Sequence, residues 1–131
     1  MEIQVQTNSK RQIIDITNKI EDIIKKNQRT TSGIINLFLL HTTCALTTAD
    51  LDPGTDFDYL DILEKIVPKL NFRHPHNPSH LPDHFLSLLI GTSLNIPFEN
   101  KNLILGSWQR IVLIEFNGPN TRKIKITILN K

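Results

Sequence analysis

Four of the five histidines in this chain fall within the run His-Pro-His-Asn-Pro-Ser-His-Leu-Pro-Asp-His, from His74 to His84. A metal is one physical reason to crowd neutral imidazoles, because nitrogen ligands suit zinc, copper, iron and nickel. Three protein ligands plus water is the pattern of catalytic zinc. Histidines on a solvated loop account for the same composition, since there is no HExxH and no cysteine pair. His80 and His84 stand four apart, but Pro82 between them works against a shared helical face. The fifth histidine, His41, ends the apolar row Ile35, Leu37, Leu39, where an imidazole needs a partner.

Other groups could do chemistry nearby. Cys44 has the opposite strand parity to His41, so a nucleophile–base pair needs a bend between them; the simpler expectation is a small buried hydrophobe. Glu115 shares a strand face with Gln109, Ile111 and Leu113, and Arg122 with Ile124, Ile126 and Ile128. The two charges flank a turn and can pair across strands at the edge of the core, as a rim salt bridge or as the lining of a pocket. Asp50, Asp52, Asp56, Asp58 and Asp61 surround a helix start. Asp56 and Asp58 suit the positive end of its dipole. Asp50 or Asp52 could instead accept from a ligating histidine.

The elements that must position these groups follow from periodicity. Glu2–Thr7 and Gln12–Ile16 read as strands of an amino-terminal hairpin. Ile16, Ile20, Ile23 and Ile24 form an amphipathic helical stripe, with Asn18 and Glu21 as a capping box. Ile34–Leu40 reads as a strand buried on both faces. Pro53-Gly54 marks a turn before a second helix, whose apolar face is Tyr59, Leu60, Leu63, Ile66 and Val67 and which Pro68 ends. Residues 71–83 form a loop, and Pro82 suits the first turn of a third helix ended by Gly91. Short strands follow at Ser93–Phe98 and Leu103–Leu105. Gln109–Phe116 and Arg122–Leu129 form a closing hairpin around Asn117-Gly118-Pro119-Asn120. The expectation is an α+β fold: one domain over 1–131, a mostly antiparallel sandwich or barrel-like core and about three helices.

Composition bounds the rest. The chain has 131 residues, a net charge of +2 with histidines neutral, 39% hydrophobic and 21% charged residues. A packed core is expected and global disorder is not. So small a charge gives no nucleic-acid footprint. No apolar run reaches the roughly 18 residues of a membrane span, and the start lacks a signal-peptide pattern. A single cysteine agrees with a reducing cytoplasm.

The motifs then line up with a known family. They are His41-Thr-Thr-Cys-Ala-Leu-Thr47, Asp52-Pro53, Val67-Pro68, His74, Leu81-Pro82-Asp83-His84 and Ser87. They continue through Leu89-Ile-Gly-Thr-Ser-Leu94, Gly106-Ser-Trp-Gln109, Glu115 and Arg122-Lys123. From about Glu2 to Leu129 the chain resembles the YjbQ-like family, small proteins credited with a secondary thiamine-phosphate synthase activity. The resemblance implies a compact α+β homotrimer. It also implies a divalent-metal pocket near a subunit interface, ligated by His41, His74 and His84, with His76 and His80 as extras. Leu86 stands where the family usually carries lysine, and Asp50 can replace a family carboxylate.

Three functions follow. The first, implied by the resemblance, is a transferase joining a pyrimidine diphosphate to a thiazole phosphate with release of pyrophosphate. Metal, Arg122, Ser87 and Gln109 would neutralise the small phosphorylated substrate. Three histidines favour zinc, whereas a diphosphate leaving group is ordinarily served by magnesium on oxygen ligands. The second is a metal-dependent hydrolase of a small phosphorylated or acyl substrate, with Asp50 or Glu115 as base. The third is a non-catalytic trimer that binds a metal or ligand.

Overall fold

A computed structural model describes all of residues 1–131. The chain forms β1 (Glu2–Gln6), β2 (Gln12–Asp15), α1 (Thr17–Lys26), β3 (Gly33–Leu39), β4 (Cys44–Ala49) and α2 (Thr55–Ile66). A single 3-10 turn at Pro78–His80 leads into α3 (Leu81–Ile90), then β5 (Ser93–Glu99), β6 (Asn102–Leu103), β7 (Arg110–Glu115) and β8 (Thr121–Asn130). Two antiparallel sheets result, in the orders β1-β8-β3-β5-β6 and β2-β7-β4. With three helices this is the expected α+β fold.

Both expected end hairpins are absent, for one reason. β1 pairs with β8 and β2 with β7, so each pair of sequential strands divides between the two sheets. The chain therefore turns a corner twice, at Thr7–Arg11 and at Phe116–Asn120, and the corners are tied together. The Thr7 N–H donates to Asn120 O at 2.9 Å and the Gly118 N–H to Lys10 O at 3.0 Å. Gly118 is required here: a β-carbon would lie 2.2 Å from Ser9 O and 2.8 Å from Thr7 Oγ1.

The isoleucine stripe of α1 is buried at Ile16, Ile20 and Ile24 and seals the main core. Its start is fixed by Asp15 and not by a box at Asn18: Asp15 Oδ1 accepts from the Thr17 N–H and hydroxyl at 2.9 and 2.6 Å. β3 alternates instead of being buried on both faces. Ile35, Leu37 and Leu39 enter the core, while Ile34, Phe38 and Leu40 lie on an open sheet face, the last two each 47% exposed. α2 buries none of its residues; Phe57, Ile62 and Ile66 are exposed. Pro82 and Gly91 bound α3 as expected, Gly91 at φ 108°.

Candidate functional site

Between β3 and β4 the chain leaves one sheet for the other, and Leu40–Thr43 forms the bend. A buried ion pair supports it from below. Glu115 is 0% and Arg122 2% exposed, so they do pair, but inside the fold and not at its rim. Arg122 donates to both Glu115 carboxylate oxygens, through Nε at 2.8 Å to Oε2 and through Nη2 to Oε1. The same Nη2 donates to Thr43 Oγ1 at 2.8 Å and Thr43 O at 3.2 Å. Glu115 also accepts from the Thr7 hydroxyl at 2.8 Å and the Asn117 N–H at 3.0 Å. Burial alone would raise the Glu115 carboxyl. The bonds from Arg122, Asn117 and Thr7, with the Arg122 charge, outweigh it and hold the carboxyl below its ordinary value.

Above this support lies an open cavity of about 720 Å³. His41, Thr42, His74, His84 and Ser87 line it, with Phe38, Leu40 and Leu88 on its apolar side. No carboxylate lines it. The His74 and His84 rings have centroids 4.9 Å apart, with planes inclined at 40°. Each is anchored to a main-chain carbonyl: His74 Nδ1–H donates to Asn77 O at 2.9 Å, His84 Nδ1–H to Thr42 O at 3.0 Å. A carbonyl can only accept, so both rings carry a proton on Nδ1, and in the neutral ring Nε2 is the lone pair.

His41 is set the other way. Its Nε2 accepts the Lys123 N–H at 2.8 Å, so in the neutral ring the proton sits on Nδ1 and the Nε2 lone pair is committed. Burial, then the Arg122 charge, lowers its pKa; Glu115 opposes them and Lys123 adds to them. The three-histidine ligand set therefore does not fit as placed. No three His, Cys, Asp or Glu side chains are arranged to hold a metal, while His74 and His84 have the donor atoms that a borderline metal such as zinc accepts.

The other expected site residues lie apart from these. Ser87 touches the cavity, but its hydroxyl donates to Cys44 O at 2.7 Å and clamps α3 to β4. Gln109 accepts from the Gly106 N–H at 2.8 Å and donates to Thr48 Oγ1 at 3.3 Å, near the far end of β4. Asp50 follows that same end, roughly 20 Å along the strand from the bend at ~3.3 Å per residue. Cys44 is fully buried, and burial first of all pushes its thiol up to about 12, so the His41–Cys44 pair does not form. Leu86 is buried in a cluster with Ala45, Val112, Ile114 and Phe116 and does not line the cavity.

Sequence reasoning missed three positioning groups. Two are main-chain oxygens, of Thr42 and Asn77, and one is the Lys123 amide. Only Asn77 carried a signal. Asn-Pro-Ser starts a turn, and Asn77 Oδ1 accepts from the Ser79 N–H at 3.0 Å and hydroxyl at 2.5 Å.

Comparison with known proteins places the fold in a family. The family described as UPF0047 protein YjbQ-like matches residues 1–131. An Archaeoglobus fulgidus UPF0047 protein is 34% identical over 130 residues, covering 98% of this chain and all of that one. The Bacillus subtilis protein YugU is 31% identical over 128 residues, covering 97% of this chain and 96% of its own. Among solved structures, an uncharacterized YjbQ/UPF0047 protein from Clostridium acetobutylicum superposes with a TM-score of 0.87 at 34% identity, covering 98% of this chain and 99% of that one. A hypothetical protein from Aeropyrum pernix K1 reaches 0.90 at 26% identity, covering 100% and 98%. With the fold and the motif residues His41, His74 and His84 meeting in one cavity, the chain belongs to the YjbQ-like UPF0047 family.

Proposed function

We propose that the histidine-lined cavity binds a small phosphorylated molecule, and that His74 and His84 hold a divalent metal beside it. The observation that carries this reading is the matched pair of rings. Both are fixed by main-chain carbonyls with Nε2 free, in a cavity with no carboxylate. Imidazole nitrogens favour zinc, and a lining without carboxylates disfavours magnesium. When bound, such a metal supplies Lewis-acid neutralisation of a phosphoryl oxygen. The volume of about 720 Å³ suits a small-molecule ligand.

Of the reactions consistent with such a site, we favour transfer between a pyrimidine diphosphate and a thiazole phosphate with pyrophosphate release, the activity the family resemblance implies. The chain's own part is to hold the diphosphate beside the apolar wall of Phe38, Leu40 and Leu88. The hydrolase reading is weaker because it needs a base in the cavity. Glu115 is committed to Arg122, Thr7 and Asn117, and Asp50 lies at the other end of β4.

We also propose that the molecule is a homotrimer, with the open face of Ile34, Phe38, Leu40 and Leu129 as the contact. Phe38 and Leu40 line the cavity as well, so assembly would close one wall of it.

Untagged protein tests the reading through bound zinc, pyrophosphate binding and formation of thiamine phosphate from its two precursors. Loss of all three in His74→Ala and His84→Ala supports it. Retention of all three in the double variant overturns it.

A further inference from the structure

We infer that His41 and Lys123 form an oxyanion-binding subsite on the β3–β8 side of the cavity, separate from the His74–His84 pair, that receives a phosphoryl or diphosphate oxygen of the ligand. The inference deepens the proposed function and rests on its placing of the ligand in this cavity. Because the Lys123 N–H donates to Nε2, the neutral His41 ring presents Nδ1–H, a donor with no partner in the protein. Such a ring binds an anion and not a cation.

Lys123 supplies the charge. Its neighbours Arg122 and Ile124 point into the core, so its own side chain stands on the open face of β8. Its main chain is gripped by two cavity residues: the carbonyl accepts from the Leu40 N–H at 3.0 Å and the amide donates to His41. Its ammonium is close enough to His41 to oppose protonation of the ring. The chain has three ion pairs, and none includes Lys123. Gln4 stands directly across from it on β1. A cation with no ion-pair partner, on the strand whose amide orients the unpaired N–H donor of a cavity without carboxylates, is the chemistry that recognises phosphate.

Pyrophosphate binding to the untagged protein, measured by calorimetry with and without zinc, tests the subsite. Lys123→Ala removes the charge but keeps the amide that orients His41, so the ring position is not confounded with the charge. The expected result is pyrophosphate affinity weakened about tenfold, the size of one charge-assisted hydrogen bond, with Lys123→Arg restoring most of it and zinc binding unchanged. Nitrogen NMR of the ligand-free protein should show His41 protonated on Nδ1 and bare on Nε2. Unchanged affinity in Lys123→Ala, no pyrophosphate binding by the parent, or a proton on Nε2 would each overturn the subsite. Should His74→Ala and His84→Ala keep pyrophosphate binding that Lys123→Ala weakens, the subsite stands and the paired-histidine reading falls.

Discussion

His84 and His41 line the same cavity in opposite hydrogen-bonding states. His84 gives its Nδ1 proton to Thr42 O at 3.0 Å, whereas His41 takes the Lys123 amide proton on Nε2 at 2.8 Å. One ring keeps a lone pair for a ligand, and the other keeps only a donor. Residue type could not separate these roles, because the difference is made by which backbone group each ring meets.

The first prediction concerns the ion pair. Leaving either charge of Glu115–Arg122 alone in the interior should cost about 3–5 kcal/mol, so Glu115→Gln and Arg122→Met each lower the urea midpoint strongly. Replacing both by apolar residues should cost less than the two single changes together. Additive losses in that double-mutant cycle would mean that the charges do not act as a pair.

Acid should weaken the fold through Glu115. Its carboxyl lies below the ordinary 4.5 when folded, so its stabilisation is complete above about pH 4.5 and is lost as pH falls through the folded value. His41 acts in the same direction at higher pH. Its folded pKa is below 6.5, so the unfolded chain binds this proton first and stability declines as pH drops under 6.5. Thermal midpoints from pH 7.5 down to about pH 2 should show both declines, the Glu115 loss below pH 4.5, and His41→Asn should remove the upper one.

Cys44 should resist alkylation. A buried thiol held up to about 12 carries almost no thiolate at neutral pH, so iodoacetamide should label it only in denaturant. Labelling of the native protein at the rate of a free thiol would contradict its placement.

The open β3 face should govern assembly. Phe38→Lys or Leu40→Lys should convert a trimer mass in light scattering to a monomer mass while circular dichroism stays native. A parent protein that is already monomeric at micromolar concentration would remove the trimer proposal.

Much of the fold was legible because burial is periodic. The α1 stripe at Ile16, Ile20 and Ile24, the proline-started and glycine-ended α3 and the β5–β6 turn all formed where their residues placed them. The two expected hairpins failed because alternation identifies a strand and not its partner. β1 and β2 are adjacent in sequence yet belong to different sheets. β3 misled for a related reason. An apolar run does not distinguish a face covered by the same chain from one left open, as Ile34, Phe38 and Leu40 are. For the site, the motif histidines pointed to the cavity, but main-chain partners such as Thr42 O and the Lys123 N–H carry no side-chain signature.

The most direct measurement is the zinc content of untagged protein, compared with that of the His74→Ala and His84→Ala variants and of His41→Ala. The first two variants should lose the metal, and His41→Ala should retain it while losing pyrophosphate affinity. Equal loss of metal in all three would contradict the division of the histidines proposed here.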